Sequence, residues 1–283
     1  MSEVRDHKEK QLARTLARGI ELLQAFGPAS EFMSNGDLAA ATALDRATVA
    51  RLTYTLVKTG FLEHDRRMRK YRLSPGVLRV GYPLLASLHL RQIARPLMQS
   101  LATTIRGTVG LGTRHHTDMV YLDAVINFDE LDPPIDRGMS TPLLASAMGN
   151  AWLAFADPVE RQQALNIIRI SKPELYTRYA RRADEAVAML RDKGYCISIG
   201  HRLPNRLSVA TPWRSRLHDQ IFVFNCTVST HESLASPDAV AADLGSRLVA
   251  MVHTLENASG AQATLGSRAS ERTVSRRPAD RKS

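Results

Sequence analysis

The stretch Asp45–Gly60, DRATVARLTYTLVKTG, carries the residues whose spacing first suggests a chemistry. Stepped at about 100° per residue, Val49, Leu52 and Leu56 fall on one side of a helix with Thr53 beside them. Ala47, Arg51, Tyr54 and Lys58 fall on the other. A small residue followed by Arg, Tyr and Lys on one face suits an element laid in the major groove of DNA. The guanidinium groups of Arg46 and Arg51 could donate to phosphates or to guanine edges, and Tyr54 could contact phosphate. Ala47 and Thr48 stand near the helix start, where backbone N–H groups and the dipole favour a phosphate. After Gly60 comes FLEHDRRMRKYRLSP, two short alternating runs around a polar turn. It adds Arg66, Arg67, Arg69 and Lys70 to the same surface. From Arg46 to Arg72 eight basic residues stand against Glu63 and Asp65, a local net charge of +6. A solvated helix with a charged hairpin is the competing reading. The helix spacing and the basic hairpin together favour DNA.

Other chemistries find less support. His115-His116 has only Asp118 as a nearby carboxylate and falls in an expected turn, so no metal site is expected there. The two cysteines, Cys196 and Cys226, lie in apolar, strand-like runs without a C-x-x-C, as buried thiols of a reducing cytoplasm do. No G-x-S-x-G, H-E-x-x-H, P-loop or dinucleotide fingerprint occurs, so neither an enzyme nor a cofactor is expected. The uncharged run Gly138–Ala156 approaches the length of a membrane span. Its internal Pro142, Gly149 and Asn150 point instead to the start of a buried helix, and no membrane partner is expected. The N-terminus has no apolar signal segment. The net charge of +10 over 283 residues, with a pI of about 10.0, favours a polyanion partner.

The elements that must hold the basic face follow from periodicity. RTLARGIELLQAFGP repeats Leu16, Ile20, Leu23 and Phe26 as an amphipathic helix stopped by Gly27-Pro28. MSNGDLAAATAL supplies a second helix, with Ser34 or Asn35 as its cap. A short break at Ala43-Leu44 leads to Asp45, an N-cap for the third. Helix, helix, turn and helix followed by a β-hairpin is a winged helix-turn-helix. Pro75–Leu90 reads as a linking helix, bent or broken near Gly81–Pro83. Beyond it, strands and helices alternate: GTVGLGTRHHTDMVYLDAV, a helix over Leu143–Phe155, further helices to Lys193, then YCISI, RLSVATPW and QIFVFNCTVST. The expected fold class is α+β. Residues 1–13 form a disordered N-terminus, 14–74 the DNA-binding domain and 75–90 the linker helix. Residues 91–258 form an effector-binding and oligomerisation domain, and 259–283 a disordered basic tail.

The chain resembles the isocitrate-lyase-regulator (IclR) family of bacterial transcription factors over about residues 14–258. The resemblance rests on RGIELLQAF, DLAAATALDRATVARL, KTGFLEHD and KYRLSPGVLRVG. It continues in ARPLMQSLATTIRGTVGLG, MVYLDAV, PLLASAMGNAWLAF, Gly194-Tyr195 and VATPW. It implies a winged helix-turn-helix, a linker helix and a GAF-like α/β effector-binding domain. It also implies a homodimer or dimer of dimers on a near-palindromic operator, and control of transcription by a small-molecule effector, often a carboxylate or aromatic acid. Carried over by position, the resemblance implies effector contacts at Gly112, Met119, Leu143, Ala145, Ser146, Ser208, Asn225 and Thr227. It differs at His201, where the family usually has Glu. With Arg202 and Arg206, His201 makes that rim basic and suggests an anionic effector. In the DNA-reading helix, Ala50 and Thr53 replace bulkier residues, so operator preference does not carry over. The alternative reading is a regulator or architectural DNA-binding protein whose C-terminal domain is degenerate and only dimerises.

Overall fold

The computed structural model describes residues 13–127, 135–200, 205–214, 220–230 and 236–274, with side chains to residue 258. The chain divides into two units, Met1–Ser87 and Leu88–Ser283.

In the first unit three helices, α1 (Arg14–Gln24), α2 (Asn35–Thr42) and α3 (Arg46–Lys58), precede a hairpin of β1 (Leu62–Asp65) and β2 (Lys70–Leu73). Helix α4 (Gly76–Ser87) follows. The starts of α2 and α3 are chemically marked. Ser34 and Asp37 form a reciprocal capping box on α2. Asp45 caps α3 by accepting from the Thr48 N–H at 2.8 Å. Between the two helices Ala43 takes φ +53°, the left-handed residue of the tight turn. The core is Leu22, Met33, Leu38, Val49, Leu52 and Leu62.

The face of α1 differs from the expected stripe. Gly19 and Leu22 are buried, whereas Leu16 is 65% and Ile20 48% exposed. A Cβ on Gly19 would lie 3.9 Å from Leu52 Cδ2. The helix packs on α3 at its smallest residue, which leaves Leu16 and Ile20 outward while Leu23 and Phe26 still pack against the core. The linker also differs. Helix α4 runs through Pro83 and the chain breaks instead at Leu88, where ψ is +78°.

The second unit is a six-stranded antiparallel sheet in the order β5-β4-β3-β8-β7-β6. Its strands are β3 (Thr108–His115), β4 (Asp118–Ile126), β5 (Ser140–Pro142), β6 (Cys196–Ile199), β7 (Arg206–Arg214) and β8 (Ile221–Ser229). Helices α5 (His89–Ile105) and α10 (Pro237–Val274) share one face with Val109, Leu111, Phe222 and Phe224. Helices α6 (Ala147–Phe155), α7 (Pro158–Ser171), α8 (Pro173–Tyr179) and α9 (Arg181–Lys193) cover the other, over Met119, Tyr121, Ala210 and Val223. With both faces covered, the inner strand β8 is buried from Ile221 to Val228. Helix α10 continues to Val274, past the expected disordered boundary at 259. The sequence from 259 to 274 contains no proline, and a helix once nucleated propagates cheaply. Among the described residues no helix is long and apolar enough to cross a membrane. The run Gly138–Ala156 becomes a turn, β5 and α6.

A bulge in β4 shapes this unit. Leu111 pairs with Asp123 and Gly112 with Tyr121, so Leu122 is the extra residue. Tyr121 and Ala124 therefore pack towards α6, while Leu122 and Asp123 turn towards α5. The Asp123 side chain has 0% exposure and meets Arg91 at 3.0 Å, Arg95 at 2.6 Å and Arg137 at 2.7 Å. Burial pushes its carboxyl up, but the hydrogen bonds and charges of Arg95 and Arg137 outweigh that and hold it below the usual carboxylate value. Replacing Asp123 by Ala leaves three guanidiniums around an apolar gap and is expected to cost about 3–5 kcal/mol in urea unfolding. The carboxylate's own contribution is complete above the unfolded carboxylate pKa and disappears as pH falls through the lower folded value. Asp123→Asn is expected to flatten that acid limb of the stability profile.

Candidate nucleic-acid interface and ligand cavity

The outward face of α3 carries Arg46, Ala47, Ala50, Arg51, Tyr54 and Lys58, all exposed. Lys58 Nζ lies 5.6 Å from the Tyr54 ring centroid, which sets the aromatic plane beside a cation. Thr48 stands at the helix start, as expected. Its hydroxyl donates 2.7 Å to Asp45 Oδ2, so it completes the helix cap. The hydroxyl and N–H of Thr48 hold the Asp45 carboxyl below its ordinary pKa, keeping the cap ionised. Gly60, at φ +78°, ends the helix.

The hairpin pairs Leu62 with Leu73 through to Asp65 with Lys70. Its tip is closed by Asp65 Oδ1, which accepts from the Met68 N–H at 2.8 Å, and by Arg69 at φ +53°. Arg66, Arg67 and Arg69 are exposed, and Lys70 is half-buried. Arg72 is neutralised across the strands by Glu63 at 2.8 Å. Arg46, Arg51, Arg66 and Arg69 have no such ion pair among the described residues. Their guanidiniums therefore remain available to an external anion, in an arrangement that suits a polyphosphate backbone.

In the second unit, a cavity of about 60 Å³ lies between the sheet and the start of α6. Its polar floor follows the register. Ser198, Ser208, Thr227 and Thr108 stand in one row across β6, β7, β8 and β3. Ser208 Oγ and Thr227 Oγ1 share a hydrogen at 2.9 Å. Asn225 Nδ2 donates to Thr227 Oγ1 at 3.2 Å and to the Tyr121 hydroxyl at 3.4 Å. Asn225 Oδ1 is buried without a partner. Above the floor, the Ser146 hydroxyl accepts from the Gly149 N–H at 3.1 Å and donates to the Pro142 carbonyl at 2.9 Å. The remaining first-turn N–H groups of α6 have no partner within the helix. Arg206 stands at the wall, and Ile135, Met139 and Thr141 close the side. The chemistry is that of an anion site: a helix N-terminus, hydroxyls and a guanidinium.

Of the expected effector residues, Ala145, Ser146, Ser208, Asn225 and Thr227 line this cavity. Three do not. Met119 and Leu143 are wholly buried in the core beside it. Gly112 is covered by Met148, whose Sδ would lie 2.7 Å from a Cβ there. His201 lies outside the described residues. Arg206, expected at the rim, lines the cavity, and residues that sequence reasoning missed include Tyr121, Thr141, Met148 and Ser198. Two of these had a signal. Tyr121 is one strand period from Met119, and Ser198 pairs with Ser208. Asn205, beside the cavity-lining Arg206, adopts φ +60°, the left-handed turn that Asn tolerates.

His115 and His116 lie exposed at the β3–β4 turn with ring centroids 4.4 Å apart. Among the described residues no cluster of His, Cys, Asp and Glu could hold a metal. Burial pushes the Cys196 thiol up to about 12 and raises Cys226 as well, so neither is a nucleophile near neutral pH.

Comparison with known proteins bears on both sites. Residues 15–66 match the model described as IclR helix-turn-helix domain, and residues 83–236 the one described as bacterial transcriptional regulator IclR C-terminal. The HTH-type transcriptional regulator TsaQ1/TsaQ2 of Comamonas testosteroni is 33% identical over 196 residues, covering 66% of this chain and 68% of that protein. The Pca regulon regulatory protein of Pseudomonas putida is 25% identical over 225 residues, covering 77% and 74% respectively. The crystal structure of an IclR family transcriptional regulator from Brucella abortus superposes with a TM-score of 0.75 at 36% identity, over 88% of this chain and 93% of that one.

The cavity floor depends on one glycine. A Cβ on Gly110 would lie 2.4 Å from Asn225 Oδ1 and 2.6 Å from the Tyr121 ring. Gly110→Ala is expected to displace that pair and lower stability by about 1–3 kcal/mol in urea unfolding.

Proposed function

The chain belongs to the IclR family of bacterial transcriptional regulators, and from that premise we propose how it reads DNA and what controls it. It is a DNA-binding transcriptional regulator rather than an enzyme. In the proposed complex a homodimer, or a dimer of dimers, lays two copies of α3 in successive major grooves of a near-palindromic operator in the cytoplasm. Arg51 and Tyr54 reach base edges or phosphate from the middle of the helix. The arginines of the hairpin take the adjoining backbone. The observation that carries this reading is the row of unpaired guanidiniums along α3 and the hairpin tip. The uncovered apolar side chains Leu16 and Ile20 on α1, and Leu78, Val80, Tyr82 and Leu84 on α4, support a second copy as the partner that covers them.

The effector of this proposal is a small anion whose carboxylate meets the start of α6 and Arg206. The cavity volume of about 60 Å³ is well under the roughly 150 Å³ that admits benzene. Short aliphatic acids therefore fit the described shape better than aromatic ones. The signal then passes through Asp123. Arg137 belongs to the chain segment that closes the cavity, and Arg91 and Arg95 sit on α5 just after the break at Leu88. A shift of that segment would reach α5 through one carboxylate.

Two measurements test the proposal. Selection of bound fragments from genomic DNA at near-physiological salt is expected to yield a palindromic or repeated motif. Arg51→Ala is expected to weaken binding to it by about 1–3 kcal/mol. Enrichment without a motif would point to backbone-only binding. Short aliphatic acids, titrated by calorimetry with and without operator, are expected to bind with affinities that operator DNA changes by the factor by which they change operator affinity. A broad panel of acids with no binding would favour the dimerisation-only domain.

A further inference from the structure

A second cavity, of about 150 Å³, lies where α6, α9 and the edge strand β6 meet. Its walls include Asn150 from α6, Arg182, Glu185 and Met189 from α9, and Cys196 and Ile197 from β6. Asn150 is 4% exposed and its Oδ1 has no hydrogen-bond partner. Its side-chain amide makes no hydrogen bond at all among the described residues, so exchanging its O and N leaves it unsatisfied as well. Arg182 Nη1 is likewise buried and unpartnered, while the guanidinium lies 5.1 Å from the Tyr179 ring centroid. Ile197, on the open edge of the sheet, donates its N–H to Met189 Sδ at 3.1 Å, and a thioether is a weak acceptor. Glu185 has no ion pair among the described residues.

Buried polar atoms are almost always satisfied, by protein or by a bound molecule. Here an unpaired donor and an unpaired acceptor line one cavity. A water occupies about 30 Å³, whereas an engineered cavity of about 150 Å³ admits benzene, a molecule of six heavy atoms. The charges set the chemistry. Arg182 calls for a carboxylate, and Asn150 Oδ1 with the Glu185 carboxylate calls for an ammonium. Ala186 and Met189 offer an apolar wall for a short side chain.

We propose that this cavity is a second ligand site, for a small zwitterionic amino acid. Its carboxylate bonds to Arg182, its ammonium lies between Asn150 and Glu185, and its side chain packs on Met189. The site does not depend on the proposed effector cavity, but it shares two elements with it. Helix α6 gives Ala147 and Met148 to the first cavity and Asn150 to the second. Strand β6 gives Ser198 to the first and Cys196 and Ile197 to the second. Occupancy of either is thereby placed to bear on the other, with equal force in both directions.

The test uses the full chain without DNA, labelled at its backbone amides and Met methyl groups for NMR. L-alanine and L-serine are titrated, with propionate and ethylamine as the two half-molecules. The expected result is a saturable shift of the Met189 methyl and of the Ile197 amide, whose N–H meets Met189 Sδ, with an amino acid. Each half-molecule is expected to bind about tenfold more weakly or worse. Arg182→Met and Asn150→Leu are each expected to weaken amino-acid binding by a similar factor, with thermal melts confirming that they fold. If Asn150→Leu does not fold, Arg182→Met alone decides. An unmoved Met189 methyl and Ile197 amide with both amino acids would overturn the proposal, leaving a water-filled gap. So would unchanged binding in Arg182→Met, or shifts confined to Met139 and Met148 in the first cavity.

Discussion

A carboxylate with no exposed surface must be held by cations, and Asp123 is held by three. The rest of the second unit is arranged around that need. The bulge at Leu122 turns Asp123 towards α5 while leaving Tyr121 on the opposite face, at the cavity floor. Arg91 and Arg95 then fix the first turns of α5 to the sheet. Arg137 fixes the segment that runs on into β5 and the start of α6. One buried charge thus sets the position of a helix on one face and of a cavity wall on the other. Its low proton affinity keeps it ionised, so the arrangement is constant across ordinary pH.

The sheet divides its labour by strand period. Along β8, Phe222, Phe224, Cys226 and Val228 pack under α5 and α10, while Asn225 and Thr227 face the α6 side with Val223. The apolar set supplies the core. The polar set would be a liability in a core but is tolerated at the cavity floor when its members satisfy one another, as Ser208, Thr227, Asn225 and Tyr121 largely do. Gly110 lets the Asn225 amide and the Tyr121 ring meet, because any side chain there would take their space. The atoms left unpaired, Asn225 Oδ1 in one cavity and Asn150 Oδ1 with Arg182 Nη1 in the other, mark where a ligand has something to gain.

The first unit handles charge in the opposite way. Four of its acids are committed locally: Asp37 and Asp45 cap helices, Asp65 closes the hairpin tip and Glu63 pairs with Arg72. Glu63 neutralises Arg72, while Asp37, Asp45 and Asp65, so used, leave Arg46, Arg51, Arg66 and Arg69 without an ion pair among the described residues. The surface that results is positive because of how the acids are placed as much as because of how many bases there are.

Local order was legible in the sequence. Helix caps at Ser34 and Asp45, the stop at Gly60, the basic face of α3 and the hairpin all depend on residues within a few positions of one another, and so did the expectation of a winged helix-turn-helix. The motifs spread along the chain also carried the family. What the tertiary structure decided lies at longer range. Of the apolar stripe of α1, Leu23 and Phe26 pack on the core, but Gly19 replaces Leu16 and Ile20 at the contact because Leu52 packs there. The linker breaks at Leu88 rather than near Pro83. The Thr48 hydroxyl bonds to Asp45 at the start of α3. Met119, Leu143 and Gly112 are core while Tyr121 and Ser198 line the cavity, since a bulge and a strand register choose among neighbours of the same composition. Periodicity assigns a residue to a face. Only the meeting of chain segments a hundred residues apart, such as Tyr121 with Asn225, decides whether that face is packed shut or left open.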